Sequence, residues 1–263
     1  DMTTTKNVKW VVKLGSQSYG NPTIAKGRVF IGTNNDSPRD PALQGDRSTV
    51  YCLDEKTGEA LQFSLQTAEK VYADFELTTR NPGGHSSLPR LDNAIYELAA
   101  ALGRLSAFRF PVMWNETTLL SLKSFGEKTQ GPLGEALRRF AANPLDGDAA
   151  DALFAAPAYV GQTRTTCIAT MLTGGHALNA LPQSATASFN CRIFPGVAVA
   201  TVQRTLQQVV GPGVEVKQIG DAFFSEASPL RDDVVAAVTR AVQQRYPGVR
   251  VVPSQESGAS DGS

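Results

Sequence analysis

The chain has 263 residues, of which 41% are hydrophobic and 19% charged, a composition typical of folded globular proteins and not of disordered ones. Lysine plus arginine and aspartate plus glutamate each number 25, so the formal net charge is zero. This balance gives no electrostatic basis for binding nucleic acid or anionic lipid, and no apolar run approaches the ~18 residues of a membrane span. We therefore expect no nucleic-acid partner and no membrane partner.

The cysteines and the chain ends say little about the compartment. Cys52, Cys167 and Cys191 are odd in number and far apart, which indicates neither a disulfide framework nor a CxxC metal pair. The chain starts at Asp1 without a signal peptide and stops at Ser263, and both ends have the look of cut ends. Missing targeting signals therefore carry no weight, and the localisation stays unknown.

Residues 1–62 have a sequence pattern typical of short antiparallel strands. VKWVVKL (8–14) and RVFIGT (28–33) are predicted strands, and TVYCLDEKTGEAL (49–61) indicates a strand, a turn and the start of another strand. Turn signals at this spacing favour antiparallel β structure. We find no helical periodicity there and predict an all-β fragment.

From residue 67 onwards the pattern changes. VYADFELTT (71–79) and ATASFNCRIF (185–194) alternate apolar with polar residues, as half-buried strands do. NAIYELAAALGRL (93–105) has apolar residues at helical spacing, and further strands are predicted at 164–174 and 214–220. With a helix after the 185–194 strand, the order is β-α-β-β-α-β, the ferredoxin-like pattern.

The remaining segments interrupt or follow this pattern. The stretch between the first helix and the second strand is rich in Gly/Pro turns, with short helices predicted at 132–142 and 147–155. A helix over 231–246 leads into the predicted strand VRVVP (249–253).

We therefore predict an α+β protein in three parts. An N-terminal antiparallel β fragment covers 1–62, a ferredoxin-like βαββαβ domain covers 67–221, and a C-terminal α/β stub covers 222–263. The first junction lies near 62–68, where the strand-and-turn pattern gives way to the ferredoxin-like pattern without a Pro/Gly linker.

Three polar residues stand out from their surroundings. His85 lies in NPGGHSSLP (81–89), between a strand and a helix, Asn179 lies in GGHALNALPQ (174–183), and Arg192 lies on the polar face of the next strand. An arginine fork binds a carboxylate through two parallel hydrogen bonds, and His and Asn donors stabilise a developing oxyanion. Together they suit an amide or peptide with a free carboxylate.

Each of these residues also has a plain structural interpretation. A loop histidine is often merely exposed, an asparagine before Leu-Pro often serves a turn, and an arginine on a strand face is usually solvated. His176 follows two glycines and is interpreted as a turn residue. The residues alone leave these alternatives open.

A catalytic zinc site can be tested by counting ligands. Such a site needs about three protein ligands, mostly His, Asp and Glu. The chain has two histidines and no HxD, HxxEH or Glu-Glu pair, and Asp261 is a single carboxylate near the chain end. Neither a GxSxG motif nor a P-loop is present. We expect no metal ligands in this chain.

Residues about 67–263 resemble the M20 family of zinc metallopeptidases, of the carboxypeptidase and aminoacylase type. AEKVYADFELTTRNPGGHSSLPRLDNAIYELAAALGRL resembles the first half of that family's lid, or dimerisation, domain, and RTTCIATMLTGGHALNALPQSATASFNCRIFPG resembles the second half. The family's lid is a ferredoxin-like unit, in agreement with the predicted pattern. The resemblance implies a homodimer formed through the lid and a peptide or N-acyl amino acid as substrate.

The resemblance also implies roles for the three polar residues. His85 matches the lid histidine that reaches across the dimer to the partner's active site and stabilises the tetrahedral intermediate. Asn179 and Arg192 match lid residues that bind the carbonyl and carboxylate region of the substrate.

The loop SGASDG (257–262) resembles a substrate-side loop of the family's catalytic domain, so Gly258 and Ser260 are further substrate-binding candidates. In the family, the metal ligands and the general-base Glu precede the lid, and a final His follows this loop. The resemblance therefore implies zinc in a complete family member, none bound by this chain and no useful hydrolysis by the chain alone. It also suggests a periplasmic or secreted location.

Residues 1–62 resemble a blade of a PQQ-type, quinoprotein-like β-propeller, on NPTIAKGRVFIGT and VYCLDEKTGEAL. Gln62 stands where such blades usually have Trp. A stable ring needs roughly four to eight blades, so we expect no quinone site. The whole chain is then a mosaic, either a natural fusion or an artefact of gene calling or assembly. Three functions follow as hypotheses: a partial M20 hydrolase, a non-enzymatic dimerisation module, and a propeller-type binding or scaffold protein.

Overall fold

The computed structural model describes residues 8–12, 14, 21–25, 27–33, 49–58 and 60–258. The strands are β1 (Thr23–Ala25), β2 (Arg28–Thr33), β3 (Thr49–Asp54), β4 (Ala60–Glu69), β5 (Val71–Arg80), β6 (Gly84–His85), β7 (Thr166–Gly174), β8 (Ala180–Leu181), β9 (Ser184–Ile193), β10 (Glu215–Ile219) and β11 (Arg250–Glu256). The helices are α1 (Ala94–Ala107), α2 (Glu116–Lys128), α3 (Gly131–Ala142), α4 (Gly147–Phe154), α5 (Pro157–Thr163), α6 (Val199–Val210) and α7 (Asp232–Arg245). In these described ranges, no helix is long and apolar enough to cross a bilayer.

A four-stranded antiparallel sheet forms the centre of the predicted ferredoxin-like part. Its strand order is β10-β5-β9-β7, so β5 and β9 lie in the middle and β7 lies at one edge. Helices α1 and α6 provide the two crossovers and pack against the inward side chains of β5 and β9. This confirms the predicted α+β class and the βαββαβ order.

The predicted alternation decides which face of the sheet is buried. Phe75 and Leu77 of β5 are fully buried, whereas Tyr72 of the same strand is exposed. The start of α1 is fixed on this core by Asn93, whose side chain accepts from the Ile95 and Tyr96 backbone amides as an N-cap. The period-2 pattern thus identifies the core face of the sheet.

A five-stranded sheet forms the second layer, in the order β1-β2-β3-β4-β11. Strands β1 to β4 are antiparallel neighbours, but β11 pairs with β4 in parallel. Strand β4 runs through the predicted junction near 62–68, and Lys70 alone separates it from β5. The first and last parts of the chain therefore share one sheet, and the three-part division stays a prediction.

The predicted strand VKWVVKL (8–14) is not found in the described part of the chain. The described residues of VKWVVKL, 8–12 and 14, form no strand. Trp10, Val12 and Leu14 instead pack against the apolar cluster between the five-stranded sheet and α7, and the Trp10 indole donates to the Glu55 carbonyl at 2.8 Å. Hydrophobic burial without strand pairing produces the same Val- and Trp-rich pattern, which explains the error.

A small helical layer, α2 to α5, fills the stretch between α1 and β7. Helices α3 and α4 confirm the two predicted short helices, whereas α2 and α5 were not predicted. Helix α2 packs against both α3 and β11. Leu122 belongs to the apolar cluster of this layer, but small polar side chains such as Thr118 and Ser121 are also buried, so apolar residues do not make up the whole buried face. Its sequence signal is a capping box, in which Asn115 and Thr118 bond each other's backbone.

The cysteine prediction was wrong in one respect. Cys167 of β7 and Cys191 of β9 are directly opposed in the antiparallel register and form a disulfide. The 24-residue separation of the pair gave no hint of this, because strand register is not visible in cysteine spacing. Cys52 is free and buried, and burial raises the pKa of its thiol.

Candidate functional site

His85 is held in a short two-stranded ribbon at the end of β5. Strand β6 pairs antiparallel with β8, so that His85 lies opposite Ala180. Gly83 precedes it with φ +76°, and a Cβ there would lie 2.7 Å from Gln183 Cγ. A side chain at Gly83 would be both strained and blocked, so the Gly-Gly pair of NPGGHSSLP serves to bring the histidine loop against β8.

Local hydrogen bonds set the tautomer of His85. The Ser87 backbone N–H donates to His85 Nδ1 at 3.2 Å, and the Ser87 hydroxyl lies 2.8 Å from the same nitrogen. A nitrogen that accepts from an amide carries no proton, so in the neutral ring the proton is on Nε2. The exposed imidazole therefore presents an N–H donor outwards, which is the form needed to stabilise an oxyanion.

Asn179 lies beside the same loop. Its carbonyl accepts from the Ser86 backbone N–H at 3.0 Å, and it directly precedes β8, the partner strand of His85. The structure thus brings His85 and Asn179 together at one end of the four-stranded sheet, whereas His176 occupies an exposed bend nearby.

Arg192 is held by a polar network on the face of β5 and β9. Its guanidinium lies over the Tyr72 ring at 4.7 Å, and its Nε donates to Asn190 Oδ1 at 3.3 Å. Asp74 accepts from both the Tyr72 hydroxyl and the Asn190 amide, at 2.7 and 2.8 Å. These contacts use the flat face and Nε of the guanidinium, so its terminal nitrogens are the ones that can reach a carboxylate.

His85, Asn179 and Arg192 do not form one cluster within a single chain. The register pairs Arg80 with Ser184 and Tyr72 with Arg192, so the His85 loop follows one end of the strand pair and Arg192 lies near the other. Eight residues of extended strand span about 27 Å. His85 and Asn179 therefore lie at one end of the sheet and Arg192 at the opposite end.

Gly258, the C-terminal candidate that the structure describes, lies towards the Arg192 end. The Lys70 amide donates to the Glu256 carbonyl at 3.1 Å, which places the end of β11 at the start of β5, and exposed Gly258 follows two residues later. Ser260 lies outside the described residues.

Zinc does not fit the residues that can be described. Within ranges 8–12, 14, 21–25, 27–33, 49–58 and 60–258, no group of three or more His, Cys, Asp or Glu side chains could hold a metal ion. The described residues therefore supply no zinc site.

Lys70 is a functional candidate that sequence reasoning missed. It is fully buried between β4 and β5, and its Nζ donates to the Arg164 carbonyl at 2.7 Å and to Thr166 Oγ1 at 3.2 Å. Burial, followed by the charge of Arg192, lowers its pKa to about 7. The sequence feature that could have identified Lys70 is its position directly between two segments with strand-like sequence, β4 and β5.

The edge strand β7 carries an exposed apolar surface. Ile168, Met171 and Leu172 are 66%, 65% and 66% exposed, and within the described part of the chain β7 has a strand neighbour on one side only. Ile95 of α1 lies against the Gly174 end of the strand, where a Cβ at Gly174 would meet Ile95 Cγ1 at 3.2 Å. An open strand edge with apolar side chains favours pairing with another strand.

Sequence comparison covers most of this region. Residues 67–215 match the family model M20_dimer, the peptidase dimerisation domain. "Probable carboxypeptidase S-like 2" of Dictyostelium discoideum is 26% identical over 198 residues, which are 73% of this chain and 37% of that protein. The human "N-fatty-acyl-amino acid synthase/hydrolase PM20D1" is 26% identical over 204 residues, 75% of this chain and 40% of that protein. The chain thus spans about two fifths of these relatives.

Solved structures give similar matches. An M20 family metallo-carboxypeptidase, Sso-CP2 of Sulfolobus solfataricus, aligns with a TM-score of 0.49 at 17% identity, covering 74% of this chain and 53% of that one. The di-peptidase Dug1p of Saccharomyces cerevisiae aligns with a TM-score of 0.48 at 13% identity, covering 75% and 45%. The family match over residues 67–215 supports the M20 resemblance and does not extend to residues 1–62, which resemble a propeller blade. Because the dimerisation-domain match covers more than half of the chain, this protein belongs to the M20 peptidase family, as a carrier of its dimerisation domain.

Proposed function

We propose that this chain is the lid and dimerisation part of an M20-type hydrolase that cleaves amide bonds in peptides or N-acyl amino acids. In this proposal, His85 donates to the oxyanion, Asn179 binds the substrate carbonyl and Arg192 binds the substrate carboxylate. The observation that supports it is the family match over 67–215 together with the outward-facing His85 donor and Arg192 fork.

The proposed dimer forms through β7. Two copies related by a two-fold axis would pair their β7 edges antiparallel and so continue the four-stranded sheet into one of eight strands. Ile168, Met171 and Leu172 would be covered in this contact, which gives the exposed apolar side chains a partner. The second copy of this chain is therefore the proposed homodimer partner.

Antiparallel pairing also explains the separation of the candidate residues. Gly174 at the end of β7 precedes the Asn179 loop, whereas Thr166 at its start lies opposite Arg192. Pairing two β7 strands head to tail brings the Gly174 end of one copy to the Thr166 end of the other. His85 and Asn179 of one copy would then approach Arg192 of the second copy, so that each site is composite.

The chemistry follows from these positions. A tetrahedral intermediate at the scissile amide carries a negative oxygen, which the Nε2–H of His85 stabilises by a hydrogen bond that strengthens as charge develops. The Arg192 fork fixes the carboxylate end and so orients the amide. Substrates with a free carboxylate beside the amide satisfy both ends at once.

Binding of a phosphinic dipeptide analogue tests the proposal. Its tetrahedral oxyanion and free carboxylate mimic the two groups that the site is proposed to hold. We expect Arg192→Lys to weaken binding about tenfold in isothermal titration, because lysine lacks the bidentate fork, and Arg204→Lys on the surface of α6 to have no effect. If Arg192→Lys and the unmodified chain bound the analogue with equal affinity, Arg192 would not be part of the binding site.

A non-enzymatic dimerisation module is the second candidate. The exposed β7 edge favours it as much as it favours the hydrolase, since pairing needs no substrate. A stable dimer that binds neither the phosphinic analogue nor an N-acyl amino acid would select this function over the first.

A further inference from the structure

A cavity of about 270 Å³ lies between the five-stranded sheet and helices α2 and α5. Strands β2, β3, β4 and β11 supply one wall, and residues of α2 and α5 supply the other. Ligand pockets are commonly about 300–1,000 Å³, so this one suits a compound smaller than a typical drug. The cavity is separate from the candidate residues His85, Asn179 and Arg192, none of which lines it.

Gln255 contributes an unused donor to this cavity. The residue is 2% exposed, and its Oε1 accepts from Asn115 Nδ2 at 3.0 Å, which fixes the orientation of the amide. Its Nε2 is buried and, among the residues that the structure describes, has no hydrogen-bond partner. Buried polar atoms are normally satisfied, so this amide is prepared to donate to a group that enters the cavity.

Gln162 contributes the complementary acceptor. Its Nε2 donates to the Gln255 carbonyl at 2.9 Å and to Ser257 Oγ at 3.3 Å, so its amide orientation is also fixed. Its Oε1 is buried and has no hydrogen-bond partner within the described ranges. Ser254, 7% exposed, adds a hydroxyl in the same condition. The cavity wall thus holds a donor, an acceptor and a hydroxyl whose hydrogen bonds are unmade.

We propose that this cavity binds a small neutral carboxamide with an apolar substituent. The ligand's carbonyl would accept from Gln255 Nε2, and its N–H would donate to Gln162 Oε1. The substituent would contact the edge-to-face pair Phe125 and Tyr159, whose ring centroids are 5.9 Å apart. One amide group therefore satisfies both unmade bonds in a single orientation.

The charge in the wall disfavours the corresponding acid. Glu256 also lines the cavity, and burial, followed by the charge of Glu69, raises the pKa of its carboxyl. The burial that disfavours the charged form of Glu256 also disfavours a carboxylate on a bound ligand, and a charged Glu256 would repel it. A carboxylate also lacks the N–H that Gln162 needs, so a neutral amide is selected over its acid on two grounds.

Ligand-observed NMR with benzamide tests this proposal on the full chain. Benzoate has the same ring with a charge, and acetophenone has the carbonyl without the N–H, so neither control needs a variant. We expect benzamide to bind at least about tenfold more tightly than either, since a missing partner leaves a buried polar atom unsatisfied. Equal binding of benzamide and acetophenone would overturn the proposal, as would no benzamide binding at about 20 mM, when only water fills the cavity.

Two variants locate the binding. Gln255→Glu keeps the shape and the bond to Asn115 but replaces the free donor by an acceptor, and Gln162→Leu removes the acceptor. We expect each to weaken benzamide binding at least about tenfold, whereas Gln218→Leu on β10 leaves it unchanged. Unchanged binding in both cavity variants would contradict the assignment. Because these residues take no part in the proposed hydrolase site, the two proposals succeed or fail separately.

Discussion

Lys70 lies in an environment that disfavours its charged side chain. Its amine is fully buried and bonded only to neutral oxygens, those of Arg164 and Thr166, in the contacts that the structure describes. Among the described residues no carboxylate bonds this amine to offset the loss of water, and burial lowers its pKa to about 7. A lysine beside Val71 could be identified from sequence, but its burial could not, because that depends on β4 continuing directly into β5.

The lowered pKa gives the stability a defined pH dependence. In the unfolded chain the Lys70 amine has its ordinary pKa of 10.5, so between pH 7 and 10.5 the unfolded state binds a proton that the folded state does not. The free energy of unfolding should therefore rise with pH across this window. Below pH 7 both states bind the proton, and this contribution to the pH dependence levels off.

Replacement of this lysine tests that balance. We expect Lys70→Met to raise the free energy of unfolding at pH 7 by about 2 kcal/mol. Methionine removes the cost of burying an ionisable amine, and this gain is larger than the loss of the two hydrogen bonds of Lys70. The gain should vanish or reverse near pH 10. Urea denaturation at the two pH values measures both, with Lys217→Met on the exposed face of β10 as control. Parallel pH profiles for Lys70→Met and the unmodified chain would show that the amine is not buried uncharged.

At the scale of single elements, periodic patterns were reliable and pairings were not. Strands β5 and β9 and helix α1 were predicted because one face of each meets the core, which imposes a period of 2 or 3.6 residues. Helix α2 was missed because most of its buried residues are small and polar. The opposition of Cys167 and Cys191 required the β7–β9 register, which no local pattern contains.

The edges of the four-stranded sheet provide a matched test of dimerisation. Strands β7 and β10 are its two edges, but only β7 is proposed to pair. We expect Leu172→Lys to weaken self-association about 100-fold, because two-fold pairing brings both new charges into one apolar contact. Ile219→Lys on β10 should leave it unchanged. Sedimentation equilibrium measures both, and an equal effect of the two substitutions would refute β7 as the interface.

At the scale of the whole molecule, the sequence identified the candidate site residues but did not predict their positions relative to one another. NPGGHSSLP and the 179–192 stretch identified His85, Asn179 and Arg192 as candidates through residue type and resemblance. Their distribution over opposite ends of the sheet follows from the β5–β9 register. The shared five-stranded sheet was equally unpredictable, since the parallel pairing of β4 with β11 joins segments about 190 residues apart.

Each site of the proposed dimer combines His85 of one copy with Arg192 of another. A mixed dimer of a His85→Ala chain and an Arg192→Ala chain, isolated through two different affinity tags, separates this from a site within one chain. In a composite arrangement, one of the two sites in the mixed dimer keeps both residues, and the other keeps neither. His176→Ala in place of His85→Ala serves as the control histidine.

Titration of this mixed dimer with the phosphinic dipeptide analogue is the most direct measurement. We predict one site of unmodified affinity per mixed dimer, whereas both parent homodimers bind at least about tenfold more weakly. A mixed dimer that binds only as weakly as its two parents would place His85 and Arg192 in the same-chain site and contradict the account.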